Sequence, residues 1–550
     1  MTGTGQPPGT LLDAFARTAA AYPDVPAVRW GEQVMTWGQY AERACAVAAG
    51  LAALGVRRGD HVVLLLRNRP EFYLADLACL LLGAVPVSVY LSPAVEPLAA
   101  VLASCEPVAV VAETAAFADR ARAAAGSIAA AGAQLIVVDQ AAAADTLPFG
   151  PLLQTGPASL AGAVAAAQPG DTATMLYTSG TTGNPKGVPL THANLMSAAA
   201  TLSARMGVSL AGCRQLSYLP MAHIGERLAT HYLHLIQGST VTCCPDLADF
   251  PAVLRQTSPH LLFGAPRMWE RLQAGVAARL AAPGQPVTRD LLAGFGLADL
   301  RTAIVGSAPL PRHVHEFWLD AGIPLANCYG QTESCGVGTW DPHDIVLGTC
   351  GKPFDGTEIG FTADGEILVR GPALFGGYYR DPAATARAVD AGGWYHSGDL
   401  GQLDAGGNLV LGGRQDDVLV PTSGHNVQPA PIEASLARID CVGHAMAIGH
   451  GRPYLTALLV LDPEETAAWA GKAGVSPEVA AGHLGLLALI ADGVEAVNAG
   501  LPGAERIRRH AVVTGPWPLA SDLLTATGKM RRGGVARRYA DVIETLYRPA

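Results

Sequence analysis

The sequence predicts an α/β protein of at least two domains, on three observations. Its 550 residues, half of them hydrophobic, can bury several cores. Apolar runs of strand length alternate with stretches of helical spacing, which implies layered helices and sheets. After Gly348 the texture turns β-rich, and past residue 413 it turns again to mixed strand and helix, enough for a small α+β domain.

Taken in order, Leu12, Phe15, Ala19 and Tyr22 recur at helical spacing, and Val62 to Leu66 and Val85 to Tyr90 have the length and β-branched content of strands. The longest apolar run, Leu77 to Leu91, is shorter than the about 20 residues of a bilayer span. It contains Pro86 and reads as buried helix and strand, so membrane contact is at most peripheral. From Ala115 to Gln168 alanine dominates, and only surface helices and a loop near Pro148 to Pro157 are expected. Asp364-Gly365 between two apolar segments, Glu358 to Phe361 and Glu366 to Arg370, signals a hairpin, and a second pair brackets Ala405-Gly406-Gly407. Gly412-Gly413-Arg414-Gln415-Asp416-Asp417 reads as an exposed linker and divides the chain into 1–413 and 414–550. Leu455 to Leu461 is a strand of the second part.

Charged residues make up 15%, with 47 acidic against 37 basic, which leaves no basic footprint for nucleic acid. Met1 to Thr10 lacks the basic and apolar regions of a secretory signal, so a cytosolic protein is expected. The ten cysteines include no CxxC pair, and the adjacent Cys243 and Cys244 are badly placed to share a metal. All ten, Cys328 and Cys335 included, are expected to be reduced, buried hydrophobes.

The densest chemical signal follows a strand, Ala173 to Tyr177. Thr178-Ser179-Gly180-Thr181-Thr182-Gly183-Asn184-Pro185-Lys186-Gly187 combines three glycines, four hydroxyls and one lysine. Glycine lets backbone approach an anion, and the hydroxyls and ammonium surround it with donors, which suits a polyphosphate. Gly187 and Val188 follow the lysine, so this is not a Walker A loop. The next helix is expected to start at the N-cap candidate Thr191.

Here the chain resembles the adenylate-forming superfamily of acyl-CoA synthetases, luciferases and peptide-synthetase adenylation domains, from about residue 11 to about residue 540. The resemblance implies a large N-terminal domain of layered αβα subdomains plus a β-rich subdomain, with a small mobile C-terminal lid. It makes Thr178, Ser179, Gly180, Thr181, Thr182, Gly183 and Lys186 the pyrophosphate arm of an ATP site. Gly306-Ser307-Ala308-Pro309 resembles the segment beside adenine, with Ser307 where Ala or Gly is commoner. In Tyr329-Gly330-Gln331-Thr332-Glu333, the resemblance has Tyr329 stack on adenine, Thr332 touch the α-phosphate and Glu333, with Thr178, hold Mg²⁺. Asp399, in a motif where Ser397 replaces the usual Thr, and Arg414 would bind the ribose, Asp416 would be the hinge, and Lys529 would be the adenylation lysine.

Three segments, Ser217 to Arg227, Phe263 to Glu270 and Ser423 to Glu433, resemble the long-chain fatty acyl-CoA synthetase branch. They imply an aliphatic acid in an apolar tunnel with its carboxylate near His223, activated by ATP to acyl-AMP and passed to coenzyme A. A separate carrier protein as acceptor and a catalytically silent nucleotide-binding relative are the alternatives, although the key motif positions carry no lesion.

Overall fold

The structure is a computed structural model that describes every residue except 1–8, 92–94, 125–131, 140–144, 157, 180–184, 281, 283–284, 309, 519–520, 526–527, 529 and 549–550. Contacts divide the chain into two compact units. One comprises residues 1–360, 368–397 and 403–410, and the other 361–367, 398–402 and 411–550.

The first unit contains two seven-stranded sheets of like construction. One runs in the order Leu325–Asn327, Thr302–Val305, Leu261–Gly264, Arg214–Ser217, Thr240–Cys243, Pro26–Trp30, Gln33–Thr36, parallel except for its last pair. The other runs Leu147–Pro148, Gln134–Val137, Ala109–Ala112, His61–Leu65, Val85–Ser88, Thr172–Ser179, Pro185–Thr191, again parallel until an antiparallel edge. Central parallel strands are covered on both faces by helices and read as continuous apolar runs, as His61–Leu65 and Ala109–Ala112 do. The helices expected near the start and after the glycine-rich loop are present, Leu11–Ala21 and His192–Met206. Thr191 caps the latter, its hydroxyl accepting from Asn194 N while Asn194 Oδ1 accepts from Thr191 N.

Two expectations change. The alanine-rich stretch holds more than surface helices, because Gln134–Val137 is a buried sheet strand, legible only through its short Leu-Ile-Val run. Gly412 and Gly413 are not loop: strand Leu409–Arg414 runs through both, and a single 3₁₀ turn, Gln415–Asp417, follows. Both hairpins occur as read, and the second turn is held by Asp404 Oδ1 accepting from Gly406 N and Asn408 N.

The second unit packs Pro429–Leu436 and Leu484–Ala499 against a three-stranded sheet of Val442–Ile448, Leu455–Leu461 and Ile507–Val513. The middle strand is buried along its whole length. All ten cysteines are free thiols, nine of them buried. Among the described residues, no helix is long and apolar enough to cross a membrane.

Candidate active site

Ligands of open parallel sheets gather outside the carboxyl ends of the strands. Four neighbouring strands of the first sheet end in the segments singled out from sequence. Arg214–Ser217 leads to His223, Leu261–Gly264 to Arg267, Thr302–Val305 to Gly306 and Ser307, and Leu325–Asn327 to Tyr329 and Glu333. Two glycines there are required by packing. A Cβ on Gly330 would lie 2.3 Å from Gly336 O, and one on Gly306 would lie 2.7 Å from Cys328 Sγ.

Tyr329 is 7% exposed and exchanges backbone hydrogen bonds with Thr339, 3.0 Å each way. A 3₁₀ turn, Thr332–Ser334, carries partly buried Thr332 and 6% exposed Glu333. Gln331 anchors the approach to this turn. Its Oε1 accepts from Tyr395 Oη at 2.6 Å and its Nε2 donates to Ser397 O at 3.0 Å.

On the second sheet, Thr178 lies directly opposite Lys186 across the antiparallel edge pair, so the two side chains leave the same face of the sheet. Lys186 Nζ lies 5.0 Å from the centre of the Tyr378 ring, and Tyr378 Oη donates to Glu333 Oε1 at 2.8 Å. The loop lysine and the motif carboxylate are thus joined through one tyrosine. Tyr378 was not singled out from sequence, and the local signal is the Gly376-Gly377 pair preceding Tyr378-Tyr379. Gly180, Thr181, Thr182, Gly183, Pro309 and Lys529, and the side chain of Ser179, lie outside the described residues.

His223 caps a short helical turn, its Nδ1 accepting from Gly225 N at 3.1 Å. The proton therefore sits on Nε2, which donates to Ser307 Oγ at 3.1 Å. Burial pushes His223 down to about 4, which keeps the ring neutral. Ser307 is exposed, as is Ala308, and holds φ at +73°, a conformation that explains why a small residue belongs there. The helix beyond His223 carries buried Glu226, Arg227, Thr230, His231 and His234. These polar side chains share the helix with buried Leu228, Tyr232, Leu233 and Leu235.

In the second unit, Arg414 Nη1 pairs with Asp399 Oδ1 at 3.0 Å, both partly exposed. Gly398, at φ +68°, leaves room for that guanidinium, since a Cβ there would lie 3.0 Å from Arg414 Nη2. Asp416 is exposed on the 3₁₀ turn, and its neighbour Asp417 pairs with Arg532 at 3.4 Å. Near the C-terminus, Leu524 and Met530 form an antiparallel bridge and Arg531 N donates to Leu523 O at 2.8 Å.

A family model described as AMP-binding enzyme matches residues 15–379, and one described as AMP-binding enzyme C-terminal domain matches residues 416–550. The chain belongs to the AMP-binding enzyme family. This AMP-binding enzyme is 36% identical over 426 residues to a putative fatty-acid–CoA ligase, fadD11, of Mycobacterium tuberculosis, covering 70% of this chain and 74% of the relative. It is 32% identical over 559 residues to the long-chain-fatty-acid–CoA ligase FadD15 of Mycobacterium bovis, covering 93% and 92%. The solved structure of the anthranilate CoA ligase AuaEII in complex with anthranoyl-AMP superposes with a TM-score of 0.78 over 98% of both chains at 22% identity, a likeness of fold.

Among the described residues no three acidic, histidine or cysteine side chains cluster as a metal cage. Mg²⁺ prefers oxygen donors and keeps most of its coordination for waters and substrate phosphates, so one buried carboxylate, Glu333, with one partly buried hydroxyl, Thr178, is a donor set that would fit it.

Proposed function

We propose that this AMP-binding enzyme activates a fatty or other aliphatic carboxylic acid with ATP and transfers the acyl group to coenzyme A. A carboxylate oxygen attacks the α-phosphorus, the bond to the β-phosphate oxygen breaks, and pyrophosphate leaves. The thiol sulfur of coenzyme A then attacks the acyl carbon, its C–O bond to AMP breaks, and the thiol proton passes to solvent.

The observation that carries the reading is the Thr178, Lys186, Tyr378, Glu333 arrangement at the mouth of a parallel α/β sheet. The first step drives one anion onto another, so neutralising charge is the main task. Lys186 with the loop hydroxyls faces the β- and γ-phosphates, Thr332 faces the α-phosphate, and Tyr329 with Gly306 to Pro309 borders the adenine. Asp399 accepts the ribose hydroxyls beside Arg414. Mg²⁺, held by Glu333 and Thr178, supplies further neutralisation when bound. Neutral His223, its Nε2–H already directed outward to Ser307, donates to the acid's carboxylate. Residues 414–550 form the lid, turning at Asp416 to bring Lys529 to the first step and withdraw it from the second.

Pyrophosphate exchange across fatty, aryl and short acids tests the reading, with aliphatic acids expected to give the highest rates. Exchange with none of them would overturn it. Thioester formed on a purified carrier protein but never on coenzyme A would change the acceptor. Lys529→Ala should reduce exchange at least 100-fold, on the order of one lost charge contact in the transition state. It should spare thioester formation from supplied acyl-AMP, and equal loss of both would contradict the role.

A further inference from the structure

The segment from Pro372 to Tyr379 braces two motifs far apart in the chain. Asn194 Nδ2 donates to Pro372 O at 3.0 Å and Leu374 O at 2.9 Å, which fixes the segment on the helix behind the phosphate loop. Phe375 N donates to Glu333 O at 2.8 Å, and Tyr379 N donates to Gly187 O at 2.9 Å. Gly377 holds φ at +134°, where a Cβ would lie 2.6 Å from Thr385 Cγ2, so the backbone is committed at the residue before Tyr378. Tyr378 N donates to Thr385 Oγ1 at 2.9 Å, and its ring packs 4.9 Å from Phe375. The side chain so fixed carries Lys186 on its ring face and Glu333 on its hydroxyl.

We infer that Tyr378 is a positioning residue that sets the lysine and the carboxylate at a common spacing, so that phosphate oxygens and a divalent cation are bound together. The inference rests on the reading of this site as an ATP and Mg²⁺ site. A hydroxyl that donates to one carboxylate oxygen fixes the rotamer of the whole carboxylate. A ring face holds an ammonium without supplying an acceptor, so its N–H donors stay directed at phosphate.

Hydroxyl and ring can be removed separately. Tyr378→Phe keeps the ring beneath Lys186 and deletes the bond to Glu333, whereas Tyr378→Leu deletes both. ATP affinity measured by calorimetry with and without Mg²⁺ reads each contact. Tyr378→Phe is expected to weaken binding about tenfold with Mg²⁺ and less than about twofold without it, the size of one charge-assisted hydrogen bond. Tyr378→Leu should weaken both. On a Glu333→Gln background, Tyr378→Phe should add less than about twofold, because the two act as one unit. Wild-type MgATP affinity in Tyr378→Phe, equal weakening with and without Mg²⁺, or a full additional loss on Glu333→Gln would each overturn the inference. The unliganded melting temperature of Tyr378→Phe should stay near wild type, and a marked fall accompanying Mg²⁺-independent weakening would make Tyr378 a packing residue only. Because these are binding measurements, they judge Tyr378 even if wild-type enzyme exchanges pyrophosphate with no acid, an outcome that would sink the proposed activity alone.

Discussion

The first unit contains two clusters with the same ingredients, a cation, a carboxylate and a tyrosine, in opposite arrangements. Arg227, Asp76 and Tyr232 are entirely buried, with Arg227 Nη2 2.6 Å from Asp76 Oδ1 and a second bond from Arg227 to the Tyr232 hydroxyl. The guanidinium also donates to Ser88 Oγ at 2.9 Å and Thr174 Oγ1 at 3.0 Å, and Asp76 Oδ2 meets His231 Nε2 at 2.7 Å. In the Lys186, Tyr378, Glu333 cluster the tyrosine links the charges, by ring face to one and by hydroxyl to the other. The first arrangement joins opposite charges directly and ties strands Val85–Ser88 and Thr172–Ser179 to the helices beside them. The second holds its charges through a neutral intermediary at the mouth of a sheet. A cluster whose charges are spent on each other holds structure, and one that keeps them spaced can meet a ligand.

Removing each cation in turn should break this comparison most sharply. Arg227→Met leaves Asp76 charged in a dry interior and should cost about 3–5 kcal/mol in denaturant or thermal unfolding. The double variant Arg227→Met/Asp76→Leu should recover part of that loss. Lys186→Met should leave stability within about 1 kcal/mol, since one contact over a ring is modest, yet reduce pyrophosphate exchange about 100-fold. If Lys186→Met unfolds as readily as Arg227→Met, both clusters are structural and the distinction fails.

Sequence reading found one cluster and missed the other. Lys186 and Glu333 sit in dense motifs of glycine, hydroxyl and charge whose composition points to phosphate chemistry, and the strand before the loop and the cap at Thr191 were legible from local pattern. Tyr378 was not legible as their link, because 192 residues separate it from Lys186 and only the fold brings them together. The buried pairing of Asp76 with Arg227 depends on a helix that places Thr230, His231 and His234 inward, and its Arg227–Tyr232 turn is π-helical. That wider turn breaks the 3.6-residue period on which helix reading relies. His223 was legible as a site candidate, but its bond to Ser307 joins residues on two different strands' loops and needed coordinates.

Acidity should separate the buried network from the site in a second, smaller way. Glu226 Oε1 accepts from Ser217 Oγ at 2.7 Å, Thr230 Oγ1 at 2.6 Å and Asn68 Nδ2 at 3.2 Å, yet burial pushes the carboxyl up from 4.5 to about 7. A carboxyl raised on folding stabilises fully below its unfolded value, and that contribution is lost as pH rises through the folded value. Wild type should therefore lose about 3 kcal/mol relative to Glu226→Gln between about pH 4.5 and pH 7.5, at 1.36 kcal/mol per unit. His223 and His192, both pushed down to about 4, act in the opposite sense and lose stability as pH falls below about 6.5. They are common to both proteins and cancel in the difference. A difference in unfolding free energy that stays flat across this range would show that Glu226 ionises without penalty.

The smallest effect is expected where the two regions meet. His223 lies three residues before Glu226, and its Nε2–H reaches Ser307 on the loop after strand Thr302–Val305. Ser307→Gly removes the hydroxyl and relieves the φ of +73°, so lost bond and lost strain should offset to within about 1 kcal/mol of stability. Ser307→Ala loses the bond and keeps the strain, and should be the less stable of the two. With the hydroxyl gone, the His223 ring loses the acceptor that orients it, and KM for the acid should rise about threefold to tenfold, on the order of one hydrogen bond. KM for ATP should change less than about twofold, because the Ser307 hydroxyl is turned to His223 and it is the backbone of this segment that is proposed to border the adenine. A rise in both constants would mean that the Ser307 hydroxyl itself serves the nucleotide, and a rise in neither would mean that His223 is held by Gly225 and the Phe263 ring stacked 6.2 Å from it, with no need of the hydroxyl.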